Sequence, residues 1–282
     1  MTARRLALSL AMLPCPAMAQ DLPGAAARQD VAAAAPADAP LCTDRPTKSN
    51  NACTVPAGRV QVELEAVNWS RLDDRGTRTD VVAYAAPTLK LGLDGATDVQ
   101  LALTPYLQAR TRTPIGIGAG VDRISGFGDV VVRLKRRLTD PDAPLQVAAI
   151  PFVKAPTARR GLGNREWEGG VSVPIQYALP AGFGLTVMPE LDLLHDADGR
   201  GKHVQFVGTV NVGRALSPTV GVSAELWTAQ NFDPAGTVRQ YSADVAATWL
   251  VRPLLQLDAG ANFGLNRATP DVQLYLGVST RF

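Results

Sequence analysis

From Gly58 to the last residue the chain alternates between apolar and polar positions. In Val60-Gln61-Val62-Glu63-Leu64-Glu65-Ala66 every even position is apolar and every odd one is polar. The same period of two recurs in Val99 to Thr104, in 185–193 and in 255–263. It recurs again from Val130 to Leu138, where Arg133, Lys135 and Arg137 oppose Val132, Leu134 and Leu138. A two-residue period places successive side chains on opposite faces of a strand, and no helical spacing fits these stretches. Twelve segments carry it: 58–70, 79–93, 97–109, 126–139, 145–156, 166–179, 183–195, 203–216, 219–232, 240–251, 254–264 and 271–282. Most exceed ten residues, where strands of soluble sheets average about five or six. Tilted at about 45°, strands of this length cross an apolar layer.

The connections make the prediction more specific. Asp94-Gly95, Pro180-Ala181-Gly182, Ser217-Pro218 and Arg252-Pro253 read as tight turns, and 140–144 is only slightly longer. Between them fall longer polar loops at 71–78, 110–125, 157–165, 196–202, 233–239 and 265–270. Alternating short turns and long loops, with an even strand number, predict an all-β, antiparallel, up-and-down transmembrane barrel of about twelve strands. Both termini are then expected on the periplasmic side of a Gram-negative outer membrane. In lipid an open sheet edge leaves backbone groups unpaired, so the sheet must close.

Closure sends the apolar face to lipid and the polar face to the lumen. The candidate lumen-lining residues are therefore Glu63, Glu65, Lys90, Arg133, Lys135, Arg137, Lys154, Glu190, Asp192, Glu225, Asp244 and Asp258. By the same parity Glu168 and Arg281 point inward. Such charges either pair across the lumen and fill it or line an aqueous path. Aromatic residues near strand ends, such as Trp69, Tyr106, Tyr177, Trp227 and Trp249, fit girdles at the two interfaces.

The N-terminus reads as an export signal over 1–19. Arg4 and Arg5 precede the apolar run from Leu6 to Leu13, and Ala17-Met18-Ala19 offers a cleavage site. With those two arginines removed from the 28 basic residues, the remaining 26 balance 26 acidic ones, so nothing points to nucleic acid. Charged residues make up 19% and the mean hydropathy is +0.02, which does not suit a bundle of membrane-spanning helices. Residues 20–57 read as a periplasmic tether, with a compact lead-in over 40–57 holding Cys42 and Cys53. In an oxidising compartment those two cysteines are expected to bridge. The short stretch before Gly58 leaves no room for a large energy-coupling plug domain.

Catalytic and cofactor chemistry is not predicted. His195 and His203 flank a Gly-rich loop with Asp196, Asp198 and Lys202, and no Gly-x-Ser-x-Gly elbow accompanies them. The Gly-Ile-Gly-Ala-Gly run at 116–120 has no helix pattern after it, so it is not read as a nucleotide-binding turn. No metal site is predicted either. The last strand ends Tyr275-x-Gly277-x-x-Thr280-x-Phe282, spacing that resembles the C-terminal signal read by the barrel-insertion machinery. Thr280 stands where that signal has a hydrophobic residue.

Three stretches together resemble a known family. Cys42-Thr43-Asp44-Arg45-Pro46, the run from Thr54 to Glu63, and Gly126-Phe127-Gly128-Asp129 are similar to outer-membrane transporters of the phenol-degradation MetA-pathway family. The likeness covers roughly 40–282. It implies an outer-membrane barrel that passively moves small, often aromatic or apolar, solutes, and no set of binding residues transfers with it. The alternative function is a structural or adhesive barrel with a filled lumen.

Overall fold

The computed structural model describes residues 39–114 and 119–282, together with the backbone of 17–18. Most of the expected signal and tether, and residues 116–118 of the glycine-rich run, lie outside the described residues.

Twelve staves form one barrel. They are β1 (Val60–Asp74), β2 (Thr77–Gly92), β3a and β3b (Thr97–Ala102, Tyr106–Thr113), β4a and β4b (Gly120–Gly126, Val130–Arg137) and β5 (Leu145–Ala155). Then come β6a and β6b (Glu168–Ser172, Ile175–Ala178), β7 (Phe183–His195), β8 (Lys202–Ala215), β9 (Val220–Asn231), β10 (Val238–Arg252), β11 (Leu255–Gly264) and β12 (Val272–Arg281). Neighbours pair antiparallel, and β12 returns to β1 from Val272 opposite Arg71 to Arg281 opposite Gln61. The sheet closes. Two staves break at prolines, Pro105 in the third and Pro174 in the sixth, where the ladder would need an N–H that proline lacks. Among the described residues, β4a pairs with β3b alone, while β4b pairs with both β3a and β5.

Inside and outside follow the alternation. Leu226 is 60% exposed on the outer face, while Glu225 beside it is 3% exposed and points inward. Phe282 also stands exposed on the outside, its backbone bonded to Val60. Near the middle of β1 the phase of the pattern flips. Gly277 pairs with Glu65 and Leu276 with Val67, so Ala66 is an extra residue in the ladder. Below this bulge the odd positions Gln61, Glu63 and Glu65 face in; above it Asn68 and Ser70 do.

Two expected loops are shorter than the sequence suggested. The connection placed at 71–78 is a two-residue turn, Arg75-Gly76, with φ of 50° and 83°, as a type I′ hairpin requires. The loop placed at 110–125 is largely strand, because β3b runs to Thr113 and β4a begins at Gly120. Polar residues there misled the loop assignment: Arg110, Arg112 and Arg123 alternate along strands as Val and Leu do lower down.

Candidate functional site in the barrel lumen

The segment expected as a periplasmic lead-in lies inside the barrel. Cys42 and Cys53 are joined by a disulfide, and residues 43–52 between them are buried. Pro46–Thr47 forms a two-residue strand against Ala17–Met18, and the rest of the loop takes its shape from the wall around it.

Asp44 faces a cationic wall. Lys135 Nζ lies 2.5 and 2.7 Å from its two carboxylate oxygens, and Lys90 Nζ lies 2.5 Å from Oδ2. Lys90 also reaches Glu63 at 2.6 Å, and Glu63 accepts the Asp44 backbone N–H at 3.0 Å. Burial pushes the Asp44 carboxyl up, but the Lys135 and Lys90 ammonium groups outweigh it and hold the acid well below the usual carboxylate range.

Arg45 and Lys48 face the opposite way, toward acids. The Arg45 guanidinium forks onto Asp258, with Nη2 to Oδ1 at 2.8 Å and Nε to Oδ2 at 3.2 Å, and Glu65 stands 3.6 Å away. Lys48 Nζ contacts Asp244 at 2.9 Å, donates to Ser242 Oγ at 2.6 Å and lies 4.2 Å over the Trp227 ring. Glu225 accepts the backbone N–H groups of Lys48 and Ser49 at 2.9 and 3.0 Å. Burial lowers the Lys48 ammonium, and Asp244 and Glu225 offset part of that. The insert thus presents one acid to the lysines of β2 and β4b and two bases to the acids of β1, β9, β10 and β11.

Two glycines make room for it. A Cβ on Gly277 would collide with the Arg45 guanidinium, and one on Gly92 with the Pro56 carbonyl oxygen. Further along, Val55 N–H donates to Asp98 at 3.0 Å and Thr54 Oγ1 to the Gly95 carbonyl at 2.8 Å, which leads the chain out to Gly58 and β1.

Above the insert the lumen has a different lining. Leu162, from the connection after β5, folds inward onto Ala83, Leu107 and Ala109, with Val81, Ile124 and Ala158 around them. Lys154 anchors that connection through Asn164 at 2.6 Å and bridges Glu168 at 2.9 Å and Asp129 at 3.2 Å. Arg159 N–H donates to the Phe127 carbonyl at 2.9 Å, beside the edge of β4a that no strand covers among the described residues.

A closed barrel with a polar, charged lumen is the fold of outer-membrane proteins. Residues 43–282 match the family described as "Putative MetA-pathway of phenol degradation". The chain belongs to that family. Among solved structures this phenol-degradation family member is similar to the COG4313 outer membrane channel from Pseudomonas putida F1. The TM-score is 0.65 at 14% identity, covering 82% of this chain and 98% of that one. It is also similar to the NanC porin, with TM-score 0.50, 8% identity, and 78% and 98% covered. A third likeness, at TM-score 0.50 and 14% identity, is to the beta domain of the Bordetella autotransporter BrkA, with 80% and 99% covered. No curated protein matches the sequence. These likenesses show the fold, a closed antiparallel β-barrel.

Within this family member, seven of the twelve candidate lumen residues touch the insert: Glu63, Glu65, Lys90, Lys135, Glu225, Asp244 and Asp258. Lys154 holds the inward connection instead. Arg133, Glu190 and Asp192 share the inner face elsewhere: Arg133 interacts electrostatically with Glu190, and Gln205 donates to Asp192 at 3.0 Å. Arg137 Nη2 reaches the Gly95 carbonyl at 3.2 Å, at the turn end. Arg281 donates to the carbonyls of Pro40 and Ala39, where the insert begins. Asp44, Arg45 and Lys48 were missed as site residues. Their signal is three charges within seven positions of a disulfide-closed loop, next to a barrel whose inward charges need partners.

The histidines stand at the loop ends of β7 and β8. His203 Nδ1 is 2.9 Å from Asp196 and 3.7 Å from Asp233, and His195 Nε2 is 3.6 Å from Glu166. Asp196, His203 and Asp233 bring their donor atoms within 4.8 Å of one another and could hold a cation. The Ala197 backbone N–H also donates to Asp233 at 2.8 Å, so the trio ties together the connections after β7 and β9.

Proposed function

We propose that this protein is a passive outer-membrane channel for small solutes, apolar or aromatic ones included, whose lumen the 43–52 segment closes. The observation that carries this reading is how the lumen is filled. Charged side chains from six staves of the wall converge on a separate piece of chain, which their charge pairs and hydrogen bonds hold. A barrel that needs a disulfide-closed loop to fill it has room for a small molecule once that loop shifts. The apolar or aromatic character of the cargo rests on the phenol-degradation description of the family. The apolar cluster above the insert, Ala83, Leu107, Ala109 and Leu162, is buried on itself and would meet a cargo only once the connection carrying Leu162 moves aside.

The density of ion pairs around Asp44 and Arg45 favours a second reading, a structural barrel whose lumen stays filled. Uptake separates the two. Proteoliposomes holding the full chain are expected to admit a small phenolic compound faster than protein-free ones, with faster entry still for Lys48→Gln. Equal rates for folded wild-type and variant protein and for empty vesicles would leave the structural reading.

In this proposal both termini are periplasmic, and the strand ending at Tyr275, Gly277 and Phe282 is what the insertion machinery reads. Modification of a cysteine placed at Ser217, a turn residue, by an impermeant maleimide on intact cells would contradict that orientation.

A further inference from the structure

We propose that the outward arginines at the loop ends of β1 to β4 bind the phosphate groups of lipid in the outer leaflet. The inference rests on the orientation proposed above, with loops outside.

The cross-strand register builds the site. Arg71, Asp80, Arg110 and Arg123 stand side by side across the four staves, and the next row outward holds Asp73, Arg78 and Arg112. Ala83, Leu107 and Ala109 face the lumen, and parity turns these two rows to the outside. Five guanidinium groups therefore share two carboxylates. Both are already engaged: Asp80 accepts from Arg71 Nε at 2.9 Å and Trp69 Nε1 at 3.2 Å, and Asp73 accepts from Arg78 Nη2 at 2.8 Å.

The remaining three have no acid. Among the described residues no carboxylate lies within 4.0 Å of Arg110, Arg112 or Arg123, and Arg123 finds only the Gln108 amide oxygen, at 2.8 Å from Nε. Arg110 stands directly opposite Arg123, and Arg78 opposite Arg112. Like charges opposite one another cost stability in a sheet, so the arrangement calls for an external anion. Arg78 and Arg112 also flank a shallow groove with Asp73, Gly76 and Thr113, wide enough for a small group to enter.

Position on the barrel selects the source of that anion. Trp69 lies one row below the Arg71 row, and Tyr84 and Tyr106, with ring centroids 5.9 Å apart, lie one row lower again. Aromatic rings on an outer barrel face mark the membrane–water interface. At about 3.4 Å per residue the arginines begin roughly 7 Å beyond Trp69, at headgroup depth. Guanidinium forks match phosphate oxygens two at a time, which ammonium groups do not.

The test is native mass spectrometry of the full-length protein released from detergent in the presence of lipid A. The bisphosphorylated form is expected to stay bound at least tenfold more than the same lipid with both phosphates removed, and Arg110→Gln/Arg112→Gln is expected to lose that preference. Equal retention of the two lipids by wild type, or an undiminished preference in the variant, would overturn the proposal. Displacement of the lipid by millimolar inorganic phosphate would overturn the lipid as the source. Orientation is scored separately, by impermeant-maleimide labelling of Asp198→Cys on intact cells. Labelling only after the outer membrane is broken would overturn the leaflet assignment whatever the lipid result.

Discussion

Asp44 and Lys135 are ninety-one positions apart, yet the Lys135 ammonium sits between both oxygens of the Asp44 carboxylate, at 2.5 and 2.7 Å. Lys90 completes the arrangement from β2, so a single acid on the insert stands against two buried lysines. Removing one partner of a buried pair costs about 3–5 kcal/mol, because the other charge stays desolvated and unpaired. Asp44→Asn is therefore expected to free the insert. Hydrogen exchange should show the amides of Asp44, Lys48 and Ser49 losing about a hundredfold or more of protection, while those of β7 to β9 keep theirs. Unchanged protection would mean that the insert is held by something other than this acid.

Gly277 offers a variant that changes no charge. A methyl there meets the Arg45 guanidinium, so Gly277→Ala is expected to loosen the insert while the barrel still assembles. A spectroscopic probe on Ser49→Cys should gain mobility when combined with Gly277→Ala. A barrel that instead fails to assemble would assign Gly277 to insertion alone.

Acid should act through Asp44 in one direction. Its carboxyl is held below the ordinary value of 3.8 when the insert is seated. The stabilisation it gives is fully present above that ordinary value and is lost as pH falls toward the lower, seated value. The part of the pH response that Asp44→Asn abolishes should thus be confined to pH below 3.8. A difference between wild type and Asp44→Asn that instead varied across neutral pH would contradict this.

Ion preference separates three residues that the alternation treats alike. Lys135 is neutralised by Asp44 and Arg137 turns to the Gly95 carbonyl, whereas Arg133 faces the inner surface near Glu190. Arg133→Glu is expected to shift the reversal potential toward cations in a salt gradient. Lys135→Gln should leave the reversal potential nearly unchanged and instead increase the frequency of openings. The opposite pattern would place the path along the Lys135 side.

The disulfide should matter for the insert and not for the barrel. Closing a loop of about twelve residues restrains the free segment by about 3 kcal/mol. Mild reduction is expected to increase exchange across residues 43–52 while the heat-dependent shift in gel migration persists. Loss of that shift would make the bridge part of barrel stability.

The alternation made the barrel legible because every stave is constrained twice, by lipid outside and by charge inside. Leu226 and Glu225 show the rule in adjacent residues. The rule fails where geometry is local. The bulge at Ala66 changes the phase, marked in the sequence only by two adjacent apolar residues, Ala66-Val67, and Arg75-Gly76 turns the chain in two residues inside what reads as a loop. The insert escaped for another reason. Thr43 to Ala52 has no periodicity, and its conformation is dictated by Glu63, Lys135, Glu225 and Asp258, partners scattered across most of the chain. Parity could show that these charges point inward; it could not show that a segment ahead of the first strand meets them.

Single-channel conductance of the full-length protein in planar bilayers is the most direct test of the plugged-channel reading. Wild type should show small or infrequent openings, and Asp44→Asn/Arg45→Gln/Lys48→Gln should show larger, long-lived ones through the same barrel. A triple variant that keeps the heat-dependent gel shift of a folded barrel, yet passes no more current than wild type, would contradict a channel closed by this segment.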